Sequence, residues 1–429
     1  MKLKVIILCI ILILITYQDF PLVNYFGEIA RSPIFFLTPF FLGYLLLFKK
    51  LNISNYIKTY LVYLAYLILI SAIYTIIIIV KNQSVYILEE NILIKNIKML
   101  AYPITAILFY QFIYTLFYKK KLSFNNLFKA VFFAQLFLIV FLIFEARVYK
   151  TTDVFLPFLH ASAEKYWRIR LLTFESSWTG TIVIIFTLLP VYLVNSLKKS
   201  INTKIVVFIT SAFFFLYYTI HSESKGYLIL VLIAVLPMLL KQVYQNKKYR
   251  KYFYTSLVLI VAVGIIIYEP LKEEVFRQFN SSVTFGTRFS SYLASLQTFI
   301  KNPLGVGLGP YLDIYVSNLA SVIDSNIMQQ FNLNEIKQYL SSPKFLSSKT
   351  YFFDHLVFAG IPFLLFYYLF FIKRYQRLSK LNDVYLIKII LAFIILSSIT
   401  YTTFIIKYEV WFFLALIDVI EKNKQLEKA

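Results

Sequence analysis

Cysteine occurs once, at Cys9, which excludes an internal disulfide and a cysteine-rich metal site and leaves that thiol as an inert helix residue. Histidine is nearly as scarce. His160, His221 and His355 stand far apart, and no D-x-D or H-x-x-x-H spacing accompanies them, so neither a metal nor a cofactor is expected. Acidic residues are few, 21 against 43 Lys and Arg, and charged residues make up only 15% of the chain. With 60% hydrophobic residues and a mean hydropathy of +0.72, that scarcity excludes a soluble globular domain. There is no low-complexity linker and no internal repeat, which speaks against a transporter built from inverted repeats.

Apolar runs are what the chain does have. Crossing about 30 Å of hydrocarbon takes roughly 17 to 25 helical residues. Runs of about that length fall at 4–20, 33–48, 60–80, 99–117, 127–146, 177–197, 204–220, 226–241, 253–268, 351–372, 385–403 and 405–420. The expected fold is therefore an all-α polytopic membrane protein of about twelve spans, forming one integral membrane domain over residues 1–429. The opening M-K-L-K-V-I-I-L-C is read as the first span and not as a cleaved leader, because no small-residue cleavage site follows it.

The net charge of +22 would suit a nucleic-acid partner if the cations formed one patch. They fall in alternate loops instead: Lys2 and Lys4, Lys49 to Lys58, Lys119 to Lys129, Lys198 to Lys204, Lys241 to Lys251, Lys373 to Lys388, and Lys422 to Lys428. The only acid inside the first six segments is Asp383, and the only ones in or just before the last are Asp418, Glu421 and Glu427. Under the positive-inside rule these are cytoplasmic segments, as are both termini, and no nucleic-acid partner is expected. Two long loops, about 147–176 and 269–350, then face outward, and chemistry is expected there.

The first outward loop reads E-K-Y-W-R-I-R-L-L-T-F-E-S-S-W-T-G. If extended, it puts Arg168 and Arg170 on one side. Two guanidiniums there suit a bidentate grip on a phosphate or diphosphate, or equally pairing with Glu164 and Glu175 or with lipid headgroups. Glu175, at a helix entrance, is either a partner of the helix dipole or a general base. A short turn, H-S-E-S-K-G-Y, adds Lys225. In the second loop, Phe289, Leu293, Leu296 and Ile300 recur at helical spacing after Arg288, with serines elsewhere around the helix. Asn302-Pro303 stops that helix, and G-V-G-L-G follows, read as a packing turn in preference to a ligand contact. Near the loop's end, Lys349 precedes Asp354 and His355; these two neighbours point apart on a helix and form no relay by themselves.

The order of four segments on a multispanning chain resembles the O-antigen ligase and polymerase superfamily of bacterial envelope polysaccharide enzymes. They are R-L-L-T-F-E-S-S, S-K-G-Y-L-I-L, R-F-S-S-Y-L-A-S-L-Q-T-F-I-K-N-P-L-G-V-G-L-G and F-A-G-I-P-F-L, within roughly residues 160–372. The third is the most specific, being similar to the signature of the family's large periplasmic loop. The resemblance implies a GT-C-like, metal-independent glycosyltransferase of the bacterial inner membrane acting on undecaprenyl-diphosphate-linked glycans, with a flippase and a chain-length regulator as further partners. It implies that Arg170 and Arg288, supported by Arg168, Lys225 and Lys349, meet the diphosphate charge, and that Glu175 or His355 is the base. Where the family's ligases carry histidine this chain has Lys349-Thr350, which favours a polymerase over a ligase; a flippase is the alternative of another class. The chain also departs from that family's pattern in reading E-S-S for E-P-S, and the spacing from Arg170 to Gly180 is one residue short of the R-x10-G pattern.

Overall fold

A computed structural model describes residues 3–49, 51–119, 121–148, 156–161, 168–222, 224–245, 254, 280–340, 342, 346–381 and 383–426. These are almost wholly helical: α1 Leu3–Thr16, α2 Val23–Phe26, α3 Thr38–Leu46, α4 Asn55–Asn82, α5 Ile92–Tyr118, α6 Phe124–Val148, α7 Ser176–Ser196, α8 Ile201–Ser222, α9 Lys225–Gln245, α10 Val283–Lys301, α11 Tyr311–Ile323, α12 Asn334–Leu340, α13 Tyr351–Tyr367, α14 Lys373–Leu378, α15 Tyr385–Thr400 and α16 Tyr408–Leu426. The strands described are Tyr86–Ile87 and Glu90–Asn91, an antiparallel pair between α4 and α5.

Among the described residues six helices are long and apolar enough to cross a membrane: α4, α5, α6, α7, α8 and the segment Tyr351–Leu378 that runs from α13 into α14. The chain is thus an all-α membrane protein. Other expected spans are shorter as helices. The run 33–48 becomes a 3-10 turn, Pro33–Leu37, followed by α3, because Pro33 and Pro39 withhold backbone donors from one continuous helix. The expected spans 4–20 and 385–403 shorten to α1 and α15. The run 405–420 is α16, which carries Glu409, Asp418 and Glu421. The expected span 253–268 lies outside the described residues, apart from Tyr254.

Two compact units make up the chain. The first comprises Met1–Val62, Leu100–Ala234 and Phe366–Ala429. Its centre is α7, packed by α6, α8, α15 and α16, with α1 along α6. The second comprises Tyr63–Met99 and Val235–Leu365, where α10 packs on α11 and α12.

Helix α10 turns its small residues inward. Its buried face is Thr287, Ser290, Ser291, Ala294, Ser295 and Thr298, whereas Leu296 and Ile300 are exposed, Ile300 at 76%. Small residues let helix backbones approach closely. The hydroxyls of the serines and of Thr298 are satisfied within their own helix: Ser290 Oγ to Gly286 O at 2.8 Å, Ser291 Oγ to Thr287 O at 2.7 Å and Thr298 Oγ1 to Ala294 O at 2.7 Å. The apolar stripe with Leu304 is left facing outward from the unit.

Candidate functional site

In the second unit, the glycine turn after α10 is a seat. Tyr66 Oη donates to Leu304 O at 2.6 Å, and Leu308 N–H donates to Ser71 Oγ at 2.9 Å, tying the turn to α4. On α13, Val306 N–H reaches Val357 O at 3.0 Å and Gly307 N–H reaches Phe358 O at 2.9 Å. Gly305 and Gly307 have φ of +86° and +80°, and side chains there would run into Phe358 O at 2.4 Å and Ser71 Cα at 2.5 Å. The expected packing role of this turn is what its geometry provides.

That seat fixes the end of α10, and with it Arg288 more than three turns of helix upstream. Arg288 is half-buried and hydrogen-bonds Tyr292, one turn further along α10. Burial pushes the Tyr292 hydroxyl up, against the pull of Arg288, and the Asp354 carboxylate adds to the rise. The Tyr292 ring stacks on Phe353 at 4.6 Å. Asp354 is buried and accepts from Ser348 N–H at 2.7 Å and Ser348 Oγ at 2.8 Å. Lys349, half-buried at φ +63°, places its ammonium 4.6 Å from the Tyr339 ring and within electrostatic reach of Asp354. Arg288 is thus bonded to Tyr292, and Tyr292 and Lys349 each lie within electrostatic reach of Asp354.

His355 belongs to different surroundings from its neighbour Asp354. Only 8% exposed, it is enclosed by Tyr63, Tyr351, Phe358 and Phe363, and its Nδ1 is 2.6 Å from Tyr63 Oη. The two side chains have separate partners, as their adjacency on a helix predicts.

The first unit holds the other candidates. Arg170 is buried, not extended beside Arg168: its Nη1 lies 3.3 Å from Asp19 Oδ2. Asp19, fully buried, also meets His160 Nδ1 at 2.9 Å and Arg31 Nη1 at 3.5 Å. The backbone N–H groups of Arg170 and Leu171 both donate to the Glu145 carboxylate at 2.9 Å. Leu171 takes φ +49°, so the chain turns here and does not run on as a strand. Arg168 is half-buried at the start of this turn.

The turn delivers Glu175 to the entrance of α7. Glu175 is half-buried, makes no side-chain cap to the helix, and accepts from Ser177 Oγ at 3.1 Å. Beneath it Lys407 donates to Trp178 O at 2.6 Å and Thr181 Oγ1 at 3.2 Å, while Glu409 accepts from Gln18 Nε2 and Thr181 Oγ1, each at 2.7 Å. Lys225 opens α9, and its side chain lies outside the described residues.

Asp19, Glu145, Lys407 and Glu409 were not among the residues singled out from the sequence. One signal was there: an ionisable residue inside an apolar run, as Glu145 is within 127–146 and Glu409 within 405–420, marks a buried partner. Comparison with known proteins adds no relative: no family model, no curated protein and no solved structure matches the chain.

Proposed function

We propose that the chain is a GT-C-like glycosyltransferase of about twelve spans in the bacterial cytoplasmic membrane, with both termini cytoplasmic. It polymerises undecaprenyl-diphosphate-linked oligosaccharide repeats into O-antigen or capsular polysaccharide at the outer face. The reading rests on the four-segment resemblance, and one observation carries it further. The segment that bears the most specific motif and the Lys349-to-His355 run bring Arg288, through Tyr292, and Lys349 into the surroundings of Asp354, two cations of the kind a diphosphate needs.

In this reaction a hydroxyl of a new lipid-linked repeat attacks the anomeric carbon of the growing chain. The bond from that carbon to the diphosphate oxygen breaks, undecaprenyl diphosphate leaves, and the hydroxyl proton passes to a base. Arg288, with Lys349, meets the charge growing on the leaving diphosphate. Glu175 is the proposed base, since its carboxylate is half-buried and accepts from Ser177, whereas the Nδ1 of His355 is occupied by Tyr63 within an aromatic enclosure. Arg170, committed to Asp19, positions the turn that presents Glu175, and Arg168 and Lys225 supply further cations for the substrate. A flippase delivering the repeats and a chain-length regulator are the partners this role calls for.

The glycan profile of a deletion strain tests the reading. A polymerase predicts envelope glycan limited to a single repeat. Full-length polymer left unattached would mean a ligase, and lipid-linked repeats accumulating in the cytoplasm would mean a flippase.

A further inference from the structure

The second unit contains a cavity of about 510 Å³ between the end of α11 and the start of α12, within the roughly 300–1,000 Å³ common for small-ligand sites. Its lining includes the buried apolar residues Ile323 and Leu333. Its rim carries Asp324, Gln329, Asn334 and Lys337, all exposed. Among the described residues the side chains of Asp324, Asn334 and Lys337 take no hydrogen-bond or ion-pair partner. The half-buried Phe331 completes the wall.

The wall is built and not incidental. Phe331 packs on Phe285 and Phe289 of α10, with ring centroids 5.5 and 5.6 Å away. Asn332 N–H donates to Asn280 O at 3.0 Å, and the Asn332 backbone lies so close over Gly286 that a Cβ there would come within 2.2 Å of its oxygen. Glu335, just past the rim, accepts from Thr287 Oγ1 at 3.1 Å. The anchors are thus Phe285, Gly286, Thr287 and Phe289, the residues that flank Arg288 on both sides.

We infer that this cavity is a glycan subsite, which takes the sugars of a lipid-linked oligosaccharide whose diphosphate lies at Arg288; the inference rests on the polymerase reading for the diphosphate end only. Sugar hydroxyls both donate and accept, so their recognition needs acceptors, donors and groups that are both. The carboxylate of Asp324 accepts, the Lys337 ammonium donates, and the amides of Gln329 and Asn334 do both. The C–H faces of a sugar ring need apolar surface, which Ile323 and Phe331 supply. A phosphate-only site would not call for this mixture, since Asp324 opposes an anion. Because the wall and Arg288 share one stretch of α10, binding at the cavity fixes the reach between sugar and diphosphate.

The test uses full-length protein in lipid nanodiscs and, as probe, the phosphate-free oligosaccharide released by mild acid from the lipid-linked repeats of the producing strain. Calorimetric titration should give saturable binding that falls about 10-fold or more in Asp324→Ala and Asn334→Ala, the loss expected from a hydrogen bond involving a charged or fully engaged group. Arg288→Ala should bind the probe as the unaltered protein does. In polymerisation, Asn334→Ala should raise KM with kcat nearly unchanged. Exposed rim positions should leave the melting temperature in place, which separates loss of binding from loss of fold. No probe binding by the unaltered protein, or binding by both rim variants as tight as its own, overturns the subsite. Probe binding lost in the rim variants, from a protein that forms no polymer, supports the subsite and rejects the polymerase.

Discussion

Gly360 interrupts α13 where the Pro303 carbonyl enters it: the Ile361 N–H donates to that oxygen at 2.8 Å, and a Cβ on Gly360 would lie 2.0 Å from it. The glycine has φ +56° and ψ −133°, a conformation that other residues reach only under strain. Pro303 and Gly360 lie in the two segments N-P-L-G-V-G-L-G and F-A-G-I-P-F-L, so their side-by-side place in the sequence pattern has a physical counterpart in one joint.

Gly360→Ala should therefore be among the most damaging single-methyl changes in the chain. The backbone strain alone is about 1–3 kcal/mol, before the clash with Pro303. The expected outcome is a lower melting temperature in detergent, together with proteolysis between residues 302 and 310. A variant that melts and resists protease like the unaltered protein would mean that the joint is not needed for the fold.

Asp19→Ala removes the carboxylate shared by Arg31, His160 and Arg170. Breaking a buried pair from one side costs about 3–5 kcal/mol, and here the buried Arg170 guanidinium loses this carboxylate while Arg31 keeps Glu28. Loss of folded protein on size exclusion is expected for Asp19→Ala, and Asp19→Asn should recover part of it by keeping a hydrogen-bond acceptor. Equal behaviour of the two variants would place the stabilisation outside this cluster.

The residues that sequence patterns revealed are those whose partners are local or whose character is set by composition. The helix after Arg288, its stop at Asn302 and the packing turn that follows were legible because capping, proline and glycine act within a few residues. The Asp19 to His160 pair, 141 residues apart, was not. Nor was the inward face of α10: spacing only set Ser290, Ser291 and Ser295 apart from the apolar stripe, and bonds to their own helix let them serve as small packing residues. Arg168 and Arg170 seemed equivalent by spacing, but the turn at Leu171 and the grip of Glu145 on the Arg170 backbone separate them.

Arg288→Ala should abolish polymer while the protein still inserts and folds, since losing one charge-assisted contact to a developing anion costs about 10²- to 10³-fold. Arg288→Lys should also be poor, because a point charge does not replace the planar fork. Full activity of the Lys variant would exclude bidentate binding, and normal polymer from the Ala variant would leave Arg288 a structural role through Tyr292.

Glu175→Gln keeps the shape of the side chain and its contact with Ser177 but removes proton acceptance, with an expected loss of about 10²- to 10⁴-fold in turnover. His355→Gln should cost turnover little and chiefly loosen the contact with Tyr63. Near-normal turnover in Glu175→Gln beside a dead but folded His355→Gln would reverse the assignment. Two active variants would point to a reaction driven by leaving-group stabilisation alone.

Purified protein reconstituted in lipid vesicles with undecaprenyl-diphosphate-linked repeats, and no other protein, tests the central claim most directly. Gel electrophoresis of the lipid-linked products should show a ladder rising by one repeat per step, present with the unaltered protein and absent with Arg288→Ala. Products that stay at a single repeat with active, folded protein, or transfer that occurs only when a lipid A core is supplied, would contradict it.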